Sequence, residues 1–389
     1  MQKALFTVCE RLYGLRFVRV PEAPTYHPDV EVYEVREQVE GEDRLVAVFL
    51  HDNYARANKQ SGAWMSAFQE QTRNSNVYSY EHKSEPDAHV VTATAPAPAP
   101  DSASTDADCA TAYVHISSTP SDARVVTVII NNNNFAKGDA TTPCLLSFDD
   151  AITLVHELGH GLHGMLSDVR YSRLAGTSVL RDFVELPSQL LEHWLRSTDV
   201  VLKEHAIHHA TGETISSDML AKLTAARNFN QGFATVEYTI CALLDQALHA
   251  LPAAQVASLD IQAFEEKELA RLGMPKGISM RHRPAHFQHL FSSSAYASAY
   301  YVYLWAEVLD ADAFDSFLAK GDVYDKVGWN SWNGWNSWNG WNVLCLAVLS
   351  YAFARPRPSV SACCLSLPLV LITSLPLPLP LPLHRTGNG

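Results

Sequence analysis

The chain has no Cys-x-x-Cys pair, no block of like charge and no stretch of twenty uninterrupted apolar residues. Its seven cysteines, at 9, 109, 144, 241, 345, 363 and 364, form no regular framework. Such a scattered set fits a reducing compartment, where thiols act as small buried apolar groups. Acidic residues outnumber basic ones, 42 to 29, for a formal net charge of −13. That balance argues against nucleic-acid binding, which needs a basic stripe. The missing apolar run argues against a membrane span, which needs about 20 such residues. The opening "MQKALFTVCERLYGLRF" lacks a sustained apolar core and a cleavage site, so no signal peptide is expected. The chain reads as beginning partway through a domain. A cytoplasmic protein is expected, monomeric, with neither nucleic acid nor membrane as partner.

What is present is an ordinary globular composition over 389 residues, enough for two domains. In residues 1–90, "VEVYEV" alternates with period two and "LVAVFL" is a short apolar run, so two strands are predicted with "EGED" as their turn. The segment "DNYARANKQSGAWM" reads as loop. Residues 91–123, rich in Pro, Ala and Ser, read as a disordered insertion. Residues 124–327 open on a strand, "ARVVTVIINN", and continue as helices whose apolar positions recur every three or four residues. Asp149 and Asp150 are placed to start the first of these helices. In residues 328–389 a Trp/Asn repeat precedes a Leu/Pro run that cannot sustain helical hydrogen bonds, so an unstructured tail is predicted.

The chemistry concentrates in "LVHELGHGLHGML", residues 154–166. His156 and His160 are four apart, one helical turn, so both imidazoles can reach one ion. Glu157 lies roughly 100° round the helix and points beside that ion, where it can hold a water. A catalytic zinc needs a third protein ligand and one open position. Glu185, in "GTSVLRDFVELPSQLLEHW", is the candidate. Three imidazoles stacked over two turns cannot converge on one tetrahedral ion, so His163 is excluded. Two blander readings compete: an exposed helix face for the histidines, and a capping box, Asp182-x-x-Glu185, for the acid. Context favours the metal, because Leu154, Val155, Leu158 and Leu162 surround the histidines and burying unpaired polar groups is costly. The glycines at 159, 161 and 164 each weaken a helix by roughly 1 kcal/mol, yet let another backbone or a substrate come close. Downstream, Tyr296, Tyr300 and Tyr303 fall at i, i+4 and i+7 of a predicted helix. They form either an aromatic core stripe or a set of phenols aimed at an oxyanion, with His289 in the preceding loop as a further donor.

The segments "FDDAITLVHELGHGLHGMLSDVRY", "GTSVLRDFVELPSQLLEHWL", "ARNFNQGFATVEY" and "YYVYLWAEVLDADAF" resemble the thimet-oligopeptidase family of zinc metallopeptidases. "MRHRPAHFQHLF", "YHPDVEVYEV" and "SGAWM" look most like its bacterial-type peptidyl-dipeptidase and oligopeptidase A branch. The resemblance covers roughly residues 10–90 and 124–327. It implies a mainly α, zincin-like, two-lobed fold with a deep cleft and a small β-sheet near the active site. It also implies His156, His160 and Glu185 as ligands of one zinc ion per chain and Glu157 as general base. Tyr296 and Tyr303 match the family's substrate-binding, oxyanion-stabilising tyrosines, and His289 a substrate-contacting histidine. Three features depart from the family. The N-terminal helical lobe is missing. "SSSAY" stands where the family has a shorter Gly-Gly-Tyr loop, which stiffens it. The insertion and the tail have no counterpart.

The expected function is therefore hydrolysis of short peptides, with release of dipeptides from free C-termini. Arg281 and Arg283 are candidates to receive the substrate carboxylate, because guanidinium binds carboxylates bidentately; surface solubility explains either equally well. An endo-acting oligopeptidase and an inactive, truncated zinc-binding fragment are the alternatives.

Overall fold

Alternating apolar side chains build the sheet that opens the fold. The computed structural model describes residues 1–73, 124–139, 143–196 and 200–324. Helix α1 (Gln2–Tyr13) buries Ala4, Leu5, Val8 and Cys9 along one face and ends at Gly14, whose φ of 72° closes the helix. Strand β1 (Arg16–Arg19) follows, then the hairpin of β2 (Glu31–Val39) and β3 (Glu42–Tyr54). Their register runs from Glu31↔His51 to Val39↔Glu42. The turn residues Glu40 and Gly41 have φ of 52° and 89°, the doubly positive geometry whose twist suits a two-residue hairpin. Strand β4 (Trp64–Gln69) and strand β5 (Thr127–Phe135) complete a five-stranded sheet of order β1-β2-β3-β5-β4. The β3–β5 pair is parallel and the other pairs are antiparallel.

The sheet is wider than the sequence reading anticipated. β1 was not predicted, and the "SGAWM" loop becomes the start of β4 because Trp64 and Met65 pair with Asn132 and Asn131. β5 runs on past the predicted strand, which ended at Asn132, through Asn133 and Asn134 to Phe135. Some of its asparagine amides find partners: Asn133 Nδ2 donates to Asn53 Oδ1 (3.0 Å), and Asn134 Nδ2 to the carbonyls of Gln60 and Gly62 (2.7 Å each), whereas the buried amide of Asn131 has no hydrogen-bond partner among the described residues. Sequence-distant parts thus share one sheet, and the described residues all fall in one compact unit, Met1–Cys345. The Pro/Ala/Ser-rich insertion and the tail lie outside the described residues.

The remainder is helical: α2 (Phe148–Met165), α3 (Arg181–Val184), α4 (Leu186–Arg196), α5 (Val200–His205), α6 (Ser217–Asn228), α7 (Gln231–His249), α8 (Ala253–Val256), α9 (Ile261–Arg271), α10 (Gln288–Phe291) and α11 (Val302–Leu318). α2 packs between the sheet and α4, and α11 packs on α4. Leu154, Leu158 and Leu162 of α2 and Leu190, Leu191, Trp194 and Leu195 of α4 are buried. Phe314 of α11 stacks on His193 and meets Trp194 edge-on, with ring centroids 4.5 and 5.1 Å apart. A second core joins Cys241 and Leu244 of α7 to Met280, Phe287 and Leu290. Among the described residues no helix is long and apolar enough to cross a membrane.

Candidate metal centre

Helix α2 starts two turns before the chemistry and is fixed by its own cap. Ser147, rather than Asp149, is the N-cap: its Oγ accepts from the Asp150 amide and the Asp150 carboxylate accepts from the Ser147 amide, both at 3.0 Å. Two turns on, His156 and His160 project from one face with ring centroids 4.8 Å apart and ring planes nearly perpendicular. His163 is buried at 4% exposure. Its imidazole is held down to about 4, by burial first and by neighbouring His160 second.

Glu185 reaches the histidines because two helices touch at a glycine. A Cβ on Gly159 would lie 2.5 Å from Ser188 Cα and 2.9 Å from the Pro187 carbonyl oxygen, so only glycine admits α4 this close. Glu185 sits at the α3–α4 junction, with Oε2 3.2 Å from Nε2 of both His156 and His160. Ligand atoms on a tetrahedron with zinc bonds of 2.0–2.1 Å stand about 3.3 Å apart, so the spacing fits an ion. All three donor atoms lie within 4.8 Å of one another. The capping-box alternative does not form, since Leu180 is the N-cap of α3 and has no side-chain cap. Ser188 Oγ instead donates to Glu185 Oε2 at 3.2 Å.

Electrostatics match a centre built around positive charge. Burial would raise the Glu185 carboxyl, but hydrogen bonds from His156 and His160 outweigh it and hold it well below the carboxylate range. Burial would likewise lower His156, yet the hydrogen bonds it donates to Glu185 and Glu192 push it up to about 10. Glu157 is 5% exposed and its buried Oε2 has no hydrogen-bond partner among the described residues. Burial raises its carboxyl, against the opposing pull of the two imidazoles. An orphaned buried oxygen beside two imidazoles and a carboxylate is what a nitrogen- and oxygen-liganded divalent cation with an exchangeable water would satisfy. The residues present fit zinc.

The tyrosines do not share a helix face, contrary to their spacing. Tyr296 ends a single 3-10 turn, Ser294–Tyr296, and Tyr303 lies in the first turn of α11. Between them Ser298 takes a left-handed φ of 58°. Helix α7 holds that irregular segment: Asp245 accepts from the amides of Ser298 (3.0 Å) and Tyr300 (2.9 Å), and Gln246 Nε2 donates to the Ser298 carbonyl (2.7 Å). The Tyr238 hydroxyl donates to the Tyr300 carbonyl. The aromatic rings nevertheless assemble around His289, with centroids 4.8 Å from Tyr296, 5.4 Å from Tyr300 and 5.9 Å from Tyr303. His289, on the single turn of α10 rather than in a loop, has Nε2 3.5 Å from the Tyr303 hydroxyl. Burial first, and the Glu185 charge second, push the Tyr303 phenol far up, so it stays a donor and lies within the field of the metal-capable group.

Three participants were not singled out from the sequence. Arg181 lies over the Tyr296 ring, 4.4 Å from its centroid. Tyr238 stacks on Tyr300 at 4.7 Å. Gln189 on α4 donates to the Tyr303 carbonyl at 3.1 Å. Of the two arginines proposed to receive a substrate carboxylate, Arg283 is engaged instead by Glu265 of α9 at 2.8 Å. Arg281 is exposed, and its charge acts on Tyr300.

Comparison with known proteins gives the same direction. The dipeptidyl carboxypeptidase of Salmonella typhimurium is 33% identical over 323 residues, which cover 82% of this chain and 39% of that protein. That of Escherichia coli is 33% identical over 322 residues, with the same shares. Oligopeptidase A of Escherichia coli is 31% identical over 320 residues, again 82% and 39%. The chain thus spans about two fifths of the length of these curated relatives. Helices with a small mixed sheet are compatible with the family whose model matches residues 1–332, and on that match the chain belongs to peptidase family M3.

Proposed function

We propose that this chain carries the chemistry of a zinc peptidase that hydrolyses short peptides and releases dipeptides from free C-termini. One observation carries the reading: Glu185 meets both imidazoles at 3.2 Å, with the buried carboxyl of Glu157 beside them. One zinc ion, held by His156, His160 and Glu185, would polarise the scissile carbonyl and make a water acidic enough to act as nucleophile near neutral pH. Glu157 takes the proton from the attacking water and hands it to the departing amine. Tyr303, with Tyr296, donates hydrogen bonds to the charge developing on the carbonyl oxygen. His289 contacts the substrate from beside Tyr303. Arg281 is the freer of the two arginines to meet a substrate carboxylate.

The two-lobed, zincin-like fold with a deep cleft belongs to the same reading, as do a monomeric state and a cytoplasmic location. The free cysteines Cys9, Cys144 and Cys241 fit that compartment. A peptide laid along the sheet would have to use β1 or β4, because β2 and β3 are flanked on both sides.

Metal analysis of the purified chain, beside cleavage of a short fluorogenic peptide, tests the proposal. One zinc per chain with cleavage supports it; one zinc without cleavage makes the chain an inactive zinc-binding module. Glu185→Ala is expected to lower the zinc content, and an unchanged stoichiometry would show that the third ligand lies elsewhere. Amidating the peptide's C-terminus should slow a dipeptide-releasing enzyme sharply. Equal rates on free and amidated peptides would favour endo-cleavage, the reading supported by the likeness to oligopeptidase A.

A further inference from the structure

Helix α4 turns one polar stripe toward α2. Glu185 stands just before its first residue, and Ser188, Glu192 and Arg196 follow at intervals of three, four and four, the recurrence of one helical face. Ser188 and Glu192 are buried, although acids and hydroxyls are ordinarily exposed. Glu192 Oε1 lies 2.7 Å from Nδ1 of His156. The opposite nitrogen of that ring, Nε2, is the one that faces Glu185 at 3.2 Å. Helix α4 and the residue that precedes it therefore grip His156 at both ring nitrogens with two carboxylates. His160 is treated differently: its buried Nδ1 has no hydrogen-bond partner among the described residues.

A neutral imidazole offers a lone pair on one nitrogen only when the other carries the proton. An acceptor fixed at Nδ1 holds the proton there, presents the Nε2 lone pair and stops rotation of the ring. A negative acceptor also makes Nε2 more basic. The second oxygen of Glu192 meets Arg196 at 2.9 Å, but the arginine side chain is 44% exposed, and ion pairs open to solvent contribute little. The imidazole is the partner that justifies burying this carboxylate.

We infer that Glu192 is a positioning residue that fixes the tautomer and ring orientation of His156, making the two histidine ligands unequal. The inference rests on the zinc-peptidase reading. Its test is zinc affinity, measured on the full chain by competition with a chromophoric chelator, together with the visible spectrum of the cobalt(II)-substituted protein. Glu192→Gln keeps the shape and an acceptor oxygen but removes the charge; Glu192→Leu removes both. The leucine variant is expected to bind zinc about 10–100-fold more weakly, with the glutamine variant between it and the parent and both with altered cobalt spectra. Arg196→Ala should stay within about twofold of the parent, since its ion pair is half-exposed. A circular-dichroism melt identifies any variant that fails to fold, and Glu192→Gln decides the matter if the leucine variant does fail. Folded Glu192→Gln with parental zinc affinity and a parental cobalt spectrum would overturn the inference. A parent that binds neither zinc nor cobalt would instead overturn the zinc-peptidase reading, before any variant is compared.

Discussion

Glu157→Gln is expected to abolish peptide hydrolysis while zinc remains bound. Glutamine has the same shape but cannot accept the proton of an attacking water, and general base catalysis contributes typically 10²–10⁴-fold. Two features make the effect large here. The carboxyl is 5% exposed with one oxygen unpartnered, so no neighbouring group takes up its role by a small shift. Burial also raises its pKa, the direction that makes a carboxylate a better base. The same burial makes the ionised group costly to the fold, because a desolvated carboxylate with an empty oxygen is poorly compensated. The amide is therefore expected to melt no lower than the parent, the usual sign of a residue kept for function at the expense of stability. Turnover and zinc content are measured on one preparation. Undiminished turnover in Glu157→Gln would remove this residue from the mechanism.

Gly159→Ala is expected to lose zinc and to lower the melting temperature. In isolation the change favours a helix by about 1 kcal/mol. Here the new methyl would stand 2.5 Å from Ser188 Cα and 2.9 Å from the Pro187 carbonyl, and main-chain atoms cannot rotate aside. Overpacking of this kind costs about 1–3 kcal/mol, so the net change is destabilising. The relief available is for α4 to back away, and α4 carries Glu185 with it. A displacement of about 1 Å is enough to disable a constellation that depends on position. Gly232→Ala is the matched control: Gly232 lies within α7 with nothing inside 4 Å of its would-be Cβ. It should gain up to about 1 kcal/mol and leave zinc untouched. If both alanines behave alike, close helix contact does not place Glu185.

What could be read from the residues alone was whatever obeys a local period. The β2–β3 hairpin follows from alternation, with Gly41 marking its turn. The pairing of His156 with His160 follows from four-residue spacing. Glu185 was reachable because an acid opening an apolar helical run asks for a partner. What escaped depends on contacts between distant segments. β4 is a strand because β5 lies beside it, and nothing in "SGAWM" announces that. The tyrosine stripe assumed an uninterrupted helix, but Ser298 breaks it and Asp245, more than fifty residues earlier, holds the break in place. Glu192 looked like any charged residue on an amphipathic helix until its burial against His156 was seen.

The residues that follow β4 and precede β5 are stitched together and to the exit of α2. The Val125 amide donates to the Thr72 carbonyl at 2.8 Å. Arg73 forks onto Asp168 with two bonds of 2.6 Å, and Arg124 caps the carbonyls of Met165 and Ser167 at 3.0 and 3.1 Å. The exit of α2 is accordingly held to both strands by contacts of Thr72, Arg73 and Arg124, so Arg73→Ala and Arg124→Ala together should loosen the end of the helix that carries His156 and His160, seen as faster amide exchange there.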